Sequence, residues 1–486
     1  MRRSAKVAAL VLAAGTATLG AGPVSASGAP ATAPLGDPSV EGSWTSPFTP
    51  AGPASRVIGV HTVLLYNGKV LTFGNLTPTV GYVYDPVTGT ATETDPPADV
   101  ECGGMTALED GRILVVGGRG LKNTGINNIT LFDPATLTWT AQPTASSRGR
   151  YYPTVTRLPD GEVLISGGNT TTGANNTDVD VYTPPPAGSN VGTIRNVGQH
   201  LGGLYPRQWV LPNGTVLEET SRKSAILDPA TWTWTTLPAP ITRHKSGFSA
   251  YLLPGPPSGS TVAAMVGGGD GTGTTAGAES MDAAVSPVSW NRLPSLPQSR
   301  AHMSPVILPD GSLLGVGGNS LGNFQQPQYS ALQLVPGSSS WTTLASQVDR
   351  RGYHSSAVLL PDGTVFSAGD TGAGGGGIAD EIFSPPYLFQ GARPTVTAAP
   401  SQADHGASFT ITTPDVNSRA VLMSPGAATH TTDFSGRHVE LAVTDRSDTG
   451  MTVAVPSDTV ALTGYYMLFL VSSTGVPSVA SWIHIG

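Results

Sequence analysis

The chain has 486 residues, of which 61 are Gly, 42 are Pro and only 12% are charged. This length allows a large core and more than one domain, and the composition favours β structure over helices. The formal net charge of −8, without any run of basic residues, argues against a nucleic-acid partner.

The N-terminal segment has the features of a secretory signal. Three basic residues within the first six positions precede an apolar run over 7–19, and small residues follow at 24–26. We therefore expect residues 1–26 to be a signal peptide and residues 27–42, rich in Ala, Pro and Gly, to be a disordered leader. The mature protein is then expected to be secreted or held at the cell surface, and no later segment is apolar enough to span a membrane. We also expect it to be a monomer.

A turn motif recurs along the chain. Asp-Gly or Asn-Gly lies between two short strand patterns six times, with the turn glycines at Gly68, Gly111, Gly161, Gly214, Gly311 and Gly363. Successive glycines are 43, 50, 53, 97 and 52 residues apart, and the long interval holds a degenerate unit with its turn at 256–259. Both dipeptides are typical of two-residue hairpin turns, because their residues tolerate positive φ.

Seven units with a period near 50 residues predict a β-propeller. Four short strands per unit, with Gly-Gly after the second, are the pattern of kelch repeats. We expect an all-β fold, with a seven-bladed kelch-type propeller over residues 43–390. Trp44, before the first turn, indicates that an N-terminal strand completes the last blade. Tryptophans that recur in outer strands predict packing between blades: Trp139, Trp234, Trp290 and Trp341.

The repeat pattern stops before the Arg393-Pro394 pair. Short alternating patterns follow, such as those of residues 408–411 and 439–443. They predict a C-terminal immunoglobulin-like β-sandwich of the early set type over residues 391–486.

Chemically active residues share one register of the repeat. The residues nine positions before five of the turn glycines are Cys102, Tyr152, Tyr205, His302 and His354. Equivalent ends of innermost strands meet at the axis of a propeller, where packing alone would favour Val, Leu or Ala. Imidazole and phenolate groups suit a transition metal, and a square arrangement of nitrogen and oxygen suits Cu(II).

Two more residues complete the candidate site. Tyr353 precedes His354, and both could reach one ion only where a strand begins or bends. His430 lies in the polar run 428–432, which we expect to form a loop tip. On the residues alone, a surface Tyr beside a hydrogen-bonded His, and an inert buried thiol at Cys102, remain alternatives.

These residues resemble the galactose oxidase and glyoxal oxidase family of copper radical oxidases. The resemblance covers about residues 43–486 and rests on four short motifs, which are Cys102, Arg150-Tyr151-Tyr152-Pro153, Tyr353-His354 and Thr429-His430-Thr431. It implies a copper ion bound by Tyr152, Tyr353, His354 and His430. It also implies a thioether between Cys102 and Tyr152, forming a protein-derived radical cofactor. Tyr151 is the rival of Tyr152, but it misses the register by one.

The resemblance implies oxidation of small aldehydes or primary alcohols by O2, which becomes H2O2, with Tyr353 as general base. Ala301 and Asn169-Thr170 stand where galactose oxidase has aromatic rings, so we expect a short substrate in preference to galactose. The alternative function is that of a secreted propeller that binds glycans or proteins without catalysis.

Neighbouring residues are given supporting roles. Asp433 is expected to accept a hydrogen bond from His430, and Arg207 to donate one to a substrate oxygen. Tyr205 and His302 are expected to be pocket walls. The remaining histidines, His61 among them, are expected to be ordinary core or surface residues.

Overall fold

The computed structural model describes residues 36–51, 57–74, 79–143, 148–186, 189–270, 272–370, 372 and 379–486. The predicted signal peptide therefore lies outside the described residues. Within these ranges the chain consists mostly of short β-strands. None of the helices in them has the length and apolar character needed to cross a membrane.

The first described element, helix α1 (Pro38–Glu41), lies before the first predicted strand. Asp37 caps this helix, since its carboxylate accepts from the Ser39 N–H at 2.9 Å, and Pro38 occupies the first helical turn. The predicted disordered leader, 27–42, was therefore too long at its C-terminal end.

The strands that follow form seven four-stranded sets among the described residues, each antiparallel. We call them blades 1 to 7. Strand β1 (Ser43–Trp44) comes first, and the strands of blade 1 are β2 (His61–Leu64), β3 (Val70–Gly74), β4 (Val80–Asp85) and β5 (Thr90–Glu93). Blade 2 contains β6 (Gly104–Ala107), β7 (Ile113–Val116), β8 (Ile129–Asp133) and β9 (Thr138–Ala141), and blade 3 contains β10 (Thr154–Arg157), β11 (Val163–Ser166), β12 (Asp178–Thr183) and β13 (Thr193–Gln199). Blade 4 contains β14 (Arg207–Val210), β15 (Val216–Glu219), β16 (Ser224–Asp228) and β17 (Thr233–Leu237).

Blades 5 and 6 each carry a small extra hairpin between their second and third main strands. Blade 5 contains β18 (Ser249–Leu252), β19 (Val262–Val266), the hairpin β20 (Gly269–Asp270) and β21 (Gly273–Thr274), β22 (Ala278–Asp282) and β23 (Trp290–Arg292); blade 6 contains β24 (Ser304–Ile307), β25 (Leu313–Val316), the hairpin β26 (Asn319–Leu321) and β27 (Gln325–Pro327), β28 (Ser330–Leu334) and β29 (Thr342–Ser346); blade 7 contains β30 (Ser355–Leu359), β31 (Val365–Gly369) and β32 (Glu381–Ser384).

The N-terminal strand closes the ring of blades. Strand β1 pairs antiparallel with β32, with Ser43 opposite Ser384 and Trp44 opposite Phe383. The outermost strand of blade 7 thus comes from the start of the chain, which confirms the prediction made from Trp44.

Burial explains the sequence pattern of the blades. The second strand of blade 2, β7, is a continuous Ile-Leu-Val-Val run and is fully buried, because neighbouring blades cover both of its faces. The outermost strand of blade 1, β5, is polar and mostly exposed. The inner strands of a blade are therefore more apolar than its outermost strand.

The turn prediction was right in place but wrong in type. Within the Asp-Gly and Asn-Gly turns, only the glycines have positive φ, between 80° and 94°. The side chain of the preceding residue accepts from the N–H two positions later, as Asp110 does from Arg112 at 3.0 Å. The amide of Gly111 donates to Leu108 O, so the loop is a four-residue turn followed by a glycine bulge.

The outer-strand tryptophans connect neighbouring blades, as predicted. The indole N–H of Trp290 donates to Pro238 O at 2.9 Å, and that of Trp341 donates to Pro294 O at 2.8 Å. Trp44 likewise donates to Ala345 O at 2.9 Å. Pro238 and Pro294 follow the outermost strands of blades 4 and 5, and Ala345 lies in the outermost strand of blade 6, so each bond joins an outer strand to the outer edge of the previous blade.

The C-terminal part is a β-sandwich. A 3-10 turn (Pro386–Phe389) precedes it. The strands of this part are β33 (Gln402–Ala403), β34 (Ser408–Thr412), β35 (Arg419–Met423), β36 (Ala427–Thr429), β37 (Thr432–Asp433), β38 (His438–Glu440), β39 (Ala442–Ser447), β40 (Gly450–Ala454), β41 (Gly464–Val471) and β42 (Ser481–Ile485). The five-stranded sheet of the sandwich has the order β33-β42-β41-β35-β38, its three-stranded sheet has the order β34-β40-β39, and an apolar core that includes Ile411, Leu422 and Leu468 lies between them.

One hairpin of this C-terminal part joins the propeller. Strands β36 and β37 belong to the sheet of blade 1, where β36 pairs antiparallel with the innermost strand β2. Thr429 lies opposite His61, and Ala427 lies opposite Val63. The two residues between the strands, His430 and Thr431, form the hairpin tip, as the polar run predicted.

Candidate metal centre

Four of the five residues that share the register have a positive φ. Cys102, Tyr152, Tyr205 and His302 have φ values of 61°, 62°, 42° and 59°. A left-handed conformation is unfavourable for side chains of this size and persists only where the surrounding structure enforces it. Such residues cluster at functional sites, and here they occupy equivalent places in four blades.

Hydrogen bonds between blades enforce this conformation. The Tyr152 N–H donates to Cys102 O, and the Tyr205 N–H donates to Tyr152 O, each at 2.8 Å. The His302 N–H makes the equivalent bond to Gly247 O at 2.8 Å. Each of these residues at the propeller axis is therefore held in place by a hydrogen bond to the blade before it.

The Gly-Gly pairs allow these segments to approach. A Cβ atom on Gly117 would lie 2.3 Å from Arg150 O, and one on Gly317 would lie 2.3 Å from Arg351 O. The two arginines precede Tyr152 and Tyr353 by two residues. Only glycine accepts so close a contact with backbone, so the repeat motif itself positions the side chains at the axis.

Tyr353 and His354 lie just before strand β30, where the sequence analysis expected a strand end. The Asp370 carboxylate holds this segment by accepting from the Gly352 N–H at 2.8 Å and from Arg350 Nε at 3.1 Å. The rings of Tyr353 and His354 stack at a centroid distance of 4.4 Å and an angle of 29°. Both side chains consequently face the same region.

His430 reaches the axis from the hairpin tip with a defined tautomer. Thr429 Oγ1 donates to Val60 O at 2.8 Å, so the same oxygen must accept from His430 Nδ1, which lies 2.6 Å away. The proton is then on Nδ1, and Nε2 keeps a lone pair for a metal.

The structure brings the five predicted site residues together. The His430 ring lies 5.0 Å from the Tyr152 ring, 5.1 Å from that of Tyr353 and 4.8 Å from that of His354, measured between centroids. The hydroxyls of Tyr152 and Tyr353 are in direct contact. The ligand atoms of Cys102, His354 and His430 lie within 4.8 Å of one another, and Cys102 Sγ is 3.7 Å from His430 Nε2.

Burial sets the protonation states of these groups. It lowers the pKa of His354 to about 3 and that of His430 well below its ordinary value, so both imidazoles are neutral at pH 7. Burial also raises the pKa of the Tyr152 and Tyr353 phenols. Neutral imidazoles are ready ligands, whereas buried phenolates need a nearby cation.

The donor set therefore fits a transition metal. It combines two neutral imidazoles with two phenols whose ionisation a divalent cation would compensate, in the N and O mixture suited to Cu(II). Asp and Glu, the ligands that hard cations prefer, are absent from the cluster of candidate ligands found among the described residues.

Cys102 is adjacent to both candidate tyrosines. Burial raises the pKa of its thiol, and hydrogen bonds with Tyr152 and Tyr151 partly oppose the shift. The Tyr151 hydroxyl is directed to Asn123 Oδ1 at 3.4 Å, whereas that of Tyr152 meets Tyr353. Tyr152 is thus the better placed of the two for a metal.

Sequence reasoning missed the role of His61. This histidine is fully buried, and its Nε2 accepts from the Cys102 N–H at 3.0 Å. Its ring stacks on Phe73 at 4.6 Å and lies 5.8 Å from His430. It lies outside the register, so only its place opposite Thr429 reveals that it supports the site.

The predicted role of Asp433 was wrong. Its Oδ1 accepts from the backbone N–H groups of Ala427, Ser435 and Gly436, each at 3.0 Å. It therefore closes the base of the hairpin, and Thr429 takes the place of Asp433 as the partner of His430. The signal available in the sequence was the hydroxyl of Thr429, the residue that directly precedes His430.

A cavity of about 500 Å³ opens onto the site. Tyr152, Tyr353 and His430 lie in its lining, and Tyr205 and His302 form part of its wall as predicted. The described rings that contact Tyr152 most closely approach it edge-on, at 72° for Tyr205 and 90° for Tyr151. Neither of them is stacked parallel to the Tyr152 ring.

The fold and this cluster define a class of protein, a β-propeller with a His, Tyr and Cys cluster at its axis and a hairpin from a C-terminal sandwich inserted there. The chain belongs to the glyoxal oxidase family. The family model described as Glyoxal oxidase N-terminus matches residues 79–375, and the model described as Galactose oxidase-like, Early set domain matches residues 393–485. The predicted family is confirmed.

Two named oxidases are similar to this chain in sequence, as expected for a member of this family. Galactose oxidase of Gibberella zeae is 28% identical over 450 residues, covering 83% of this chain and 63% of that protein. The protein named Aldehyde oxidase GLOX of Vitis pseudoreticulata is 29% identical over 438 residues, covering 80% of this chain and 82% of that protein. The chain thus spans less than two thirds of the galactose oxidase.

A solved structure supports the fold. It is described as a novel fungal alcohol oxidase with catalytic diversity among the AA5 family, in complex with copper. It superposes with a TM-score of 0.78 at 24% identity, covering 91% of this chain and 99% of that one. The all-β propeller prediction is confirmed by this likeness.

Proposed function

We propose that the protein is a mononuclear copper radical oxidase that acts on small aldehydes or primary alcohols. The observation that carries the proposal is the meeting of Tyr152, Tyr353, His354 and His430 at the axis, beside the sole cysteine of the chain. Membership of the glyoxal oxidase family supports it.

In this proposal the four residues hold one copper ion. The ion, when bound, supplies one of two one-electron stores and lowers the pKa of the phenols that ligate it. Tyr152 supplies the second store as a phenol that can lose one electron. His430 keeps the site rigid because Thr429 fixes its tautomer. The position of His354 is fixed at the start of blade 7, where its backbone carbonyl accepts from the Asp370 N–H.

Tyr353 is the proposed general base. It lines the cavity and contacts Tyr152, so a phenolate at this position can take the hydroxyl proton of a bound alcohol or aldehyde hydrate. The overall reactions balance as RCH2OH + O2 → RCHO + H2O2 and RCH(OH)2 + O2 → RCOOH + H2O2. In each, the substrate loses two electrons and two protons, and O2 gains them.

The proposed role of Cys102 is a thioether to the Tyr152 ring. One S–H and one C–H bond break, one S–C bond forms, and the two electrons and two protons reduce O2 to H2O2. The sulfur then donates into the ring and eases loss of one electron. The contact of Cys102 with His430 favours a second candidate role, as a thiolate ligand of the metal.

The location and assembly of the protein are also proposals. The basic, apolar and small-residue pattern of residues 1–26 supports secretion, and we propose a monomer in which the propeller spans 43–390 and the sandwich 391–486. The small-molecule substrate and O2 are its expected partners.

A peroxide assay tests the oxidase proposal against the binding-module alternative. Purified protein, loaded with one equivalent of copper and treated with a mild oxidant, is assayed with glyoxal, glycolaldehyde, short primary alcohols and galactose. We expect peroxide formation, with a larger kcat/KM for the short compounds than for galactose, because the resemblance implies that Ala301 replaces an aromatic ring on which the sugar stacks in galactose oxidase.

Failure to bind copper or to form peroxide with any of these compounds would favour the binding module. A clear preference for galactose would overturn the substrate assignment and leave the copper proposal standing.

A further inference from the structure

The cavity above the candidate centre is lined by cations on one side. Its wall includes Arg207, Arg222 and Lys223, and no Asp or Glu is among the described residues that line it. The whole chain has a formal net charge of −8. The charge of the cavity is therefore opposite in sign to the net charge of the chain.

Arg207 is the innermost of these cations. Its guanidinium is buried and donates to Tyr205 O at 2.5 Å, to Phe248 O at 3.0 Å and to Thr431 Oγ1 at 3.0 Å. These three acceptors are neutral, and its Nε has no partner among the described residues. Burial lowers the pKa of Arg207 to about 9, so the group stays charged at neutral pH beside the hairpin tip that carries His430.

Arg222 and Lys223 stand at the outer wall of the same cavity. They occupy the turn between β15 and β16, which Thr220 fixes by accepting from the Lys223 N–H at 3.0 Å. Both side chains are exposed, and the ion pairs found among the described residues do not include either. Arg222 also lines an adjoining cavity of about 340 Å³, where Arg243 adds a fourth cation.

The volume of the cavity exceeds what the shortest substrates need. About 500 Å³ is within the range of pockets that take drug-sized ligands, whereas a two-carbon aldehyde has only a few heavy atoms. The space between the copper ligands and Arg222 is therefore available to a part of the substrate that does not react.

We propose that the cavity selects anionic substrates, with the reacting carbon at Tyr353 and a carboxylate or phosphate directed to the side formed by Arg207, Arg222 and Lys223. This inference rests on the proposed oxidase function and names the substrate class for it. For an aldehyde with a phosphate, the reaction is the one balanced above, in which the hydrate becomes a carboxylic acid and O2 becomes H2O2.

Charge complementarity of this kind acts mainly on encounter and on binding, and salt weakens it. Two matched pairs of aldehydes separate the anion chemistries. Glyoxylate against glyoxal tests a carboxylate next to the reacting carbon, and glyceraldehyde 3-phosphate against glyceraldehyde tests a phosphate two carbons away. We expect a kcat/KM ratio, anionic over neutral, of about tenfold or more at low salt in at least one pair, falling as salt is added.

The variant Arg222→Gln with Lys223→Gln is expected to lower this ratio by about tenfold, most of all for the phosphate, which reaches the outer wall. Lys69→Gln with Arg292→Gln is the matched control, since it removes the same charge from outside the cavity. A ratio near one in both pairs, or an equal fall in both double variants, overturns the proposal.

Equilibrium binding keeps this test independent of turnover. We expect 3-phosphoglycerate, the acid that glyceraldehyde 3-phosphate would yield, to bind the wild-type protein more tightly than the Arg222→Gln, Lys223→Gln variant by calorimetry. Equal or absent binding in both contradicts the anion site. Binding that is lost in the variant, without peroxide formation from any aldehyde, supports the anion site and contradicts the oxidase function alone.

Discussion

Thr429 determines which nitrogen of His430 faces the site. Its hydroxyl donates to Val60 O and accepts from His430 Nδ1, so removing it leaves the imidazole without a fixed tautomer. We expect Thr429→Val, which keeps the shape of the side chain, to weaken copper binding about 10- to 100-fold. A chelator competition titration measures this effect.

Thr429→Ser is the matched control, since it restores the hydroxyl and should restore most of the affinity. Equal copper affinity of Thr429→Val and the wild type would show that the hydrogen bond between Thr429 and His430 does not matter to copper binding.

Cys102 has a different role in each of the two proposals for it. If the sulfur tunes the Tyr152 ring, we expect Cys102→Ser to keep the fold and most of the copper affinity and to lose nearly all peroxide formation. If the sulfur is a ligand, copper affinity should fall together with activity. Copper content and peroxide rate, measured on the same preparation, distinguish the two, and full activity of the variant would contradict both.

Three of the five candidate site residues could be predicted from the residues alone because their positions share the period of the turn glycines. Cys102, Tyr152 and His354 were found by that register. The positive φ of Cys102 and Tyr152 could not be predicted, because it depends on hydrogen bonds to a neighbouring blade. His61 was missed for the same reason, since its contact with Cys102 joins two blades.

At the scale of elements, a buried carboxyl links the first and last blades. Asp380, just before β32, accepts from the Tyr82 hydroxyl of β4 at 2.6 Å. Burial raises the pKa of Asp380 from 3.8 to about 7, although the hydrogen bond from Tyr82 opposes the shift. The folded protein therefore holds a proton here at pH values where the unfolded chain has lost it.

This raised pKa predicts how stability varies with pH. Between about pH 4 and pH 7 the folded state binds more protons than the unfolded state, so this group's contribution to the free energy of unfolding falls as pH rises through that window. We expect Asp380→Asn, which stays neutral and still accepts from Tyr82, to show a flatter dependence. Denaturant titrations across pH 4.5–7.5 provide the comparison.

Asp160→Asn is the control, because Asp160 is an exposed turn residue and should leave the pH slope of the wild type in place. A slope that is the same in Asp380→Asn and the wild type would mean that Asp380 ionises normally in the folded protein.

The elements themselves could be predicted in kind and order. The 50-residue period and the outer tryptophans indicated the propeller, and Trp44 indicated how the ring closes. The turn type was wrong because Asp and Asn side chains stabilise a turn with ordinary φ, so only the glycine takes the left-handed conformation. The pairing of β36 with β2 could not be predicted, since the two strands are separated by most of the chain.

At the scale of the whole molecule, the hairpin tip makes the proposed metal site a connection between the sandwich and the propeller. A ligand that binds only the folded state stabilises it, by about 2.7 kcal/mol at 100 times Kd. We expect one equivalent of copper to raise the melting temperature of the wild type and to have little effect on His430→Ala. Differential scanning calorimetry with and without copper measures both.

His405→Ala is the matched control, because His405 is a histidine of the sandwich that bonds Pro456 O and Thr463 rather than the site. If His430→Ala keeps the full copper-dependent shift, His430 is not a ligand and the proposed role of the hairpin is wrong.

The most direct test of the copper radical oxidase is the intact mass of the copper-loaded protein, followed by peptide mapping. We expect the wild type to lose two hydrogens after copper and O2 treatment and the peptides of Cys102 and Tyr152 to become joined, whereas Cys102→Ser keeps its full mass. An unchanged wild-type mass with an alkylatable Cys102 thiol, in a preparation that contains one copper per chain, would contradict it.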